Sequence, residues 1–214
     1  MNTVDVPEIL LKRGKRICTS QDVREIVGKN YLPWISKLIN TRWLMPLKGF
    51  RGVYYVLDPE ERTRSFLKLD ALALLASALN VGFGRNWYFG RVSALSLSGF
   101  IHQPVSVYYV LNSRVSRRID SPIFGKVALL KTAAKITGGC GIISNKHKGI
   151  AYNICTLERG IADCLYLHVH GHGGMEQARN MLGGYGCSKK KIRAIILSCY
   201  PRHSAKKMLA ALEK

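Results

Sequence analysis

Within the first 60 residues the apolar spacing changes period, and that change constrains the architecture more than any other feature. Up to residue 39 apolar residues recur at helical spacing in three groups: Val6, Ile9, Leu10 and, less regularly, Leu11; Val23, Ile26 and Val27; Leu32, Ile35, Leu38 and Ile39. Trp43 to Leu47 and Val53 to Leu57 then read as strands, joined by the glycine-containing turn Lys48-Gly49-Phe50-Arg51-Gly52. Thr19 or Ser20 can cap the second helix, Gly28 can end it, and Asn30 can cap the third with Pro33 tolerated in its first turn.

Two short helices joined by a tight glycine turn make a helix-turn-helix, and a hairpin directly after them makes the winged form. The physics of that shape suits duplex DNA. The third helix would enter the major groove and present Tyr31, Trp34 and Lys37, which follow i, i+3, i+6 away from the apolar stripe. Lys48 and Arg51 lie at the hairpin tip, within reach of backbone or minor groove, and Lys29 and Arg42 flank the reading helix. Thr19, Ser20 and Asn30, at the helix starts, complete the expected DNA-binding set. The alternative is a protein-binding module, since exposed Tyr and Trp also mark protein interfaces.

Charge favours DNA. Lys and Arg number 33 against 13 Asp and Glu, a formal net charge of +20, which points to polyanionic partners. The hydrophobic share of 47% excludes general disorder. So few carboxylates argue against two-metal nucleases and glycosidases, which need clustered acids. Residues 1–60 carry 10 basic and 6 acidic side chains; residues 61–214 carry 23 and 7. The polar, proline-containing Asp58-Pro59-Glu60-Glu61-Arg62 reads as a linker, dividing the chain into a winged-helix domain at 1–60 and a basic α/β domain at 61–214. The fold class expected is α+β.

No stretch is long and apolar enough to span a membrane: Ala71 to Gly84 is short, and His102, Gln103, Pro104 and Asn112 interrupt Val92 to Ser113. With no signal peptide visible, a soluble cytoplasmic protein is expected. The six cysteines (18, 140, 155, 164, 187 and 199) form no C-x-x-C, and most are expected as reduced core residues.

Beyond the linker the pattern is mixed. Helices are expected at Phe66 to Leu79, Arg91 to Ser98, and about 174–182, 189–199 and 202–212. Strands are expected at Trp87 to Phe89, Val105 to Leu111, Lys126 to Leu130, Gly141 to Ser144 and Ile150 to Ile154. Thr156 can cap another helix, with Leu157, Ile161, Cys164 and Leu165 facing the core and Arg159 and Asp163 pairing on its surface.

Several short motifs occur in a familiar order: Gly52-Val53-Tyr54, then Ala71-Leu72-Ala73-Leu74-Leu75, then Trp87-Tyr88-Phe89-Gly90-Arg91-Val92-Ser93-Ala94-Leu95, Gly99-Phe100, and finally Thr156-Leu157-Glu158-Arg159-Gly160-Ile161-Ala162-Asp163. In this the chain, over roughly residues 19 to 200, resembles the AbiEi-like antitoxins, regulators of AbiE abortive-infection (type IV) toxin–antitoxin systems. The resemblance implies a winged helix that represses its own operon, reading DNA with Asn30 to Asn40 and placing its wing at Lys48 to Gly52. It also implies a C-terminal domain that counters a nucleotidyltransferase-like toxin without a stable complex, with Glu158, Arg159 and Asp163 structural. A relative can equally serve as a stand-alone transcription regulator, and the basic C-terminal part can serve RNA.

The remaining signals are weaker. His168, His170 and His172, with Cys164 one turn earlier, have zinc or copper ligand chemistry, but the glycines among them favour surface histidines in a loop, and no metal or other cofactor is expected. Gly82-Phe83-Gly84 and Gly138-Gly139-Cys140-Gly141 match no phosphate-loop pattern and read as turns, and no catalytic motif occurs, so no enzyme is expected. The basic groups Arg114, Arg117 and Arg118, Lys189, Lys190 and Lys191, and Lys206 and Lys207 are expected to touch nucleic-acid backbone.

Overall fold

The computed structural model describes residues 5–64, 66–101 and 105–213. It is a mixed α+β protein that divides into two compact units. His102, Gln103 and Pro104 lie outside the described residues.

The first unit comprises residues 1–82 together with 119–125 and 147–150. Its elements begin with α1 (Asp5–Lys12), β1 (Ile17–Thr19), α2 (Ser20–Val27), α3 (Tyr31–Asn40), β2 (Leu44–Pro46) and β3 (Val53–Val56). The strands form an antiparallel sheet in the order β1-β3-β2, with Cys18 opposite Tyr54 and Met45 opposite Tyr55. Val6, Leu10, Cys18, Val23, Ile35, Leu38, Trp43, Leu44 and Val56 make one buried core beneath it. Removal of these apolar side chains from water is the main force joining the helices to so small a sheet.

The expected linker is helical instead: α4 spans Pro59–Arg64. Its cause is legible. The Asp58 Oδ1 accepts the Glu61 N–H at 2.9 Å while Glu61 Oε2 accepts the Asp58 N–H at 3.0 Å, a reciprocal cap with proline in the first helical position. Arg16 then binds both acids, Nη1 to Glu61 at 2.7 Å and Nη2 to Asp58 at 2.8 Å, and Lys68 Nζ reaches Asp58 at 2.6 Å. Burial pushes the Asp58 carboxyl upward, but Lys68, the Glu61 N–H and Arg16 outweigh it and hold it well below the usual carboxylate range. The expected helix from Phe66 is displaced: α5 runs Ala71–Phe83, because Asp70 Oδ1 accepts the Ala73 N–H at 3.0 Å and caps it there.

The second unit comprises residues 83–118, 126–146 and 151–214. Along it run β4 (Trp87–Phe89), α6 (Arg91–Leu97), β5 (Val107–Asn112), β6 (Arg117–Ser121), β7 (Gly125–Lys131), α7 (Ala134–Thr137), β8 (Ile142–His147) and β9 (Ile150–Cys155). Then come α8 (Leu157–Val169), α9 (Met175–Gly184), α10 (Lys189–Cys199) and α11 (Arg202–Leu212). Its strands build a sheet in the order β6-β7-β5-β4-β9-β8, with β4 antiparallel to β5 and parallel to β9, and β5 parallel to β7.

Helix α8 packs against α6, α9, α10 and α11. Thr156 caps it as expected, its side chain accepting the Arg159 N–H. The expected surface pair is overturned by this packing: Arg159 and Asp163 are both fully buried. Asp163 accepts the Tyr88 hydroxyl at 2.9 Å, the Tyr200 hydroxyl at 2.5 Å and Arg159 Nε at 3.3 Å. Arg159 Nη1 and Nη2 donate to the carbonyls of Cys140 at 2.9 Å and Ile136 at 2.5 Å. Burial raises the Asp163 carboxyl despite the guanidinium and the two hydroxyl donors. Among the described residues no helix is long and apolar enough to cross a membrane.

Candidate nucleic-acid interface

The expected interface begins at the start of α2. Thr19 caps this helix in a complete capping box, its N–H donating to Asp22 Oδ2 at 2.6 Å and its hydroxyl accepting the Asp22 N–H at 3.2 Å. Ser20 donates its N–H to the Gly52 carbonyl at 2.9 Å, tying the helix to the hairpin. Both residues therefore have structural work, and Thr19 in particular is occupied. Gly28 ends α2 with a φ of 85°, a region in which glycine is strongly favoured.

Helix α3 turns differently from the expected stripe. Ile35 and Leu38 are buried, but Leu32 is 62% exposed. Tyr31 and Trp34, expected to face outward, are half-buried against the core of the first unit. Exposed positions on α3 are instead Leu32, Pro33, Ser36, Lys37 and Asn40. The reason is the hydrophobic effect applied to size: burying a Trp and a Tyr removes more apolar surface from water than burying Leu32. Asn30 makes no side-chain cap to α3, contrary to expectation, and with Lys29 it is exposed. Lys37 Nζ lies 5.8 Å from the centre of the Trp34 ring. Arg42 is exposed and adopts a φ of 57° in the turn from α3 into β2.

The hairpin tip is not free along its whole length. Phe50 is buried and meets the Phe124 ring edge-on at 6.0 Å. A Cβ placed on Gly49 would come within 2.5 Å of the Ile119 side chain. Lys48 and Arg51 remain exposed on the two sides of this anchored turn. The arrangement leaves two cations exposed on a turn whose middle is held against Phe124 and Ile119.

The C-terminal basic residues occupy separate places. Arg114 is exposed after β5, and Arg117 and Arg118 are exposed on β6, a sheet-edge strand absent from the sequence expectation. Lys189, Lys190 and Lys191 open α10, where Ser188 caps the Lys191 N–H at 3.3 Å. Cations at a helix N-terminus oppose its dipole, so this run is held there at a cost to helix stability. Lys206 and Lys207 are exposed on α11.

The histidines do not assemble. His168 lies in the last turn of α8, His170 caps that helix with Nε2 3.1 Å from Ser204 Oγ, and His172 follows in the turn. Cys164 is buried, with Sγ 3.8 Å from Gln177 Oε1. Among the described residues, no three His, Cys, Asp or Glu side chains group to hold a metal ion. Gly82 and Phe83 end α5, and Gly138 to Gly141 join α7 to β8. Cys18, Cys155, Cys164 and Cys199 are buried, in line with the expectation for most cysteines, while Cys140 is exposed and Cys187 half-buried. Searches against protein-family models and curated proteins return no match for this chain.

Proposed function

We propose that the chain is a double-stranded-DNA-binding transcriptional regulator whose first unit is a winged helix-turn-helix. In this reading it represses its own promoter and acts as the antitoxin of an AbiE-like type IV system. The observation that supports the DNA reading is the order α1-β1-α2-α3-β2-β3 on a β1-β3-β2 sheet, an order compatible with a winged helix, combined with a net charge of +20. In it α3 is the groove helix, read through Ser36, Lys37 and Asn40, with Leu32 available to a thymine methyl. Lys29, Lys48 and Arg51 serve as phosphate contacts.

The antitoxin role rests on the resemblance of the motifs from Gly52 to Asp163, and no enzymatic step is part of the proposal. A second reading, a general RNA or polyanion binder, is favoured by the placement of 23 of the 33 basic residues beyond residue 60. The two separate in one titration. Fluorescence anisotropy of the full chain is measured with its own upstream duplex, a scrambled duplex and an RNA duplex, at two salt concentrations. A preference of about a thousandfold for the upstream duplex supports the regulator. Equal affinities that collapse together as salt rises exclude it. Lys48→Ala, which removes one proposed phosphate contact, is expected to lower the magnitude of the log–log salt slope by about 0.9.

A further inference from the structure

We propose that Cys140 and Cys199 are a reversible dithiol site, oxidised to an intramolecular disulfide by a peroxide. Their Sγ atoms lie 3.2 Å apart although 59 positions separate them in sequence. A disulfide has a bond length of about 2.05 Å, so bonding needs a closure of roughly 1 Å. Ser198 Oγ stands beside both sulfurs, 3.0 Å from Cys140 and 3.4 Å from Cys199.

The surroundings are built for this approach. Gly139 leaves the space that the Cys199 thiol occupies: a Cβ there would lie 2.5 Å from that sulfur and 3.0 Å from Arg159 Nη1. Cys140 is exposed and open to a small oxidant, whereas Cys199 is buried and sheltered from one. The chain also sorts its thiols by reactivity. Burial raises Cys18 to about 12 and Cys164 to about 11, and it raises Cys155 as well, leaving these three as inert thiols. For Cys199 burial acts in the same direction, but Ser198, Cys140 and the Arg159 charge outweigh it and favour the thiolate.

The chemistry balances in two steps. The Cys140 thiolate attacks one peroxide oxygen; an S–O bond forms, the O–O bond breaks, and the departing hydroxide takes a proton to become water. The Cys199 thiolate then attacks Cys140 Sγ; the S–S bond forms, the S–O bond breaks, and a second hydroxide is protonated. Two thiols lose two electrons and two protons, and hydrogen peroxide becomes two waters. The product would staple the α7–β8 connection to the end of α10.

The test uses the reduced full-length chain, treated with hydrogen peroxide and mapped by mass spectrometry without reduction. The expected product has lost two hydrogens, carries a Cys140–Cys199 linked peptide, and returns to the starting mass with dithiothreitol. The other four cysteines stay alkylatable after denaturation. With Cys199→Ser, Cys140 should stop at sulfenic acid and be captured by dimedone. Wild-type protein that goes to Cys140 sulfinic or sulfonic acid without a cross-link overturns the proposal, as does a disulfide between two chains.

Discussion

Replacing Asp163 with Asn tests the energetics of the second unit most sharply. Both partners of the Arg159–Asp163 pair are removed from solvent, at 0% and 1% side-chain exposure. Asn retains one carbonyl oxygen for the Tyr88 or Tyr200 hydroxyl but turns an N–H₂ toward the other donors. Arg159 cannot shed its proton to compensate, so a guanidinium is left buried with only two carbonyls and a phenol around it. Breaking a buried pair in this way costs about 3–5 kcal/mol. For a chain of this length each kcal/mol moves Tm by about 2–4 °C, so the expected drop is roughly 6–20 °C. Urea titration read by hydrogen exchange on α8 peptides isolates this unit from the first. Arg159→Met provides the control. Its Asp163, already raised by burial, is raised further without the cation. Folded-state values above the unfolded value of about 3.9 give stability that is complete below that pH and lost as pH rises. Arg159→Met should therefore be most stable in acid, a dependence Asp163→Asn lacks. A loss below about 1 kcal/mol in Asp163→Asn would refute the reasoning, because it would mean that Arg159 finds water or another anion.

Two further perturbations act on the first unit. Asp58 is held below its ordinary value, so its stabilisation is present above pH of about 4 and disappears as pH falls toward the folded value. Asp58→Asn should cost about 1–3 kcal/mol at neutral pH and converge with wild type in strong acid, as measured by urea midpoints across pH; parallel curves would remove Asp58 from the acid response. Thr19→Ala removes the α2 capping box and should lower stability by about 1 kcal/mol, while an unchanged midpoint would show the cap to be redundant.

Most of the elements of the first unit are legible because their signals are local. Thr19, Gly28 and the glycine turn at 48–52 mark boundaries by backbone chemistry, and α1, α2, α3 and the β2–β3 hairpin lie within a residue or two of expectation. The missed α4 had a signal too, the Asp-Pro-Glu-Glu capping sequence, which was outweighed by its polarity. Strand β6 had none: Arg117 and Arg118 read as loop because an edge strand is free to carry charge. The face of α3 differs from expectation because periodicity alone does not rank Leu32 against Trp34 for the core. Arg159 and Asp163 depart from expectation for another reason. An i, i+4 ion pair is ordinarily a surface feature, and only α6, α9, α10 and α11 closing around α8 remove it from water. The proximity of Cys140 to Cys199 depends on the same tertiary packing.

The first unit is discontinuous, and this bears on how the chain emerges from a ribosome. Residues 1–82 depend on Phe124 against Phe50, Ile119 against Gly49, and His147 Nε2 at 2.6 Å from Asp70. These residues are synthesised later, the last of them by residue 150. At about 5–20 residues per second, the early segment waits roughly 3–14 s for its final partners. A nascent chain arrested near residue 90 should therefore be more protease-sensitive over 1–82 than the released protein, and a fragment ending at residue 60 is an incomplete version of the unit.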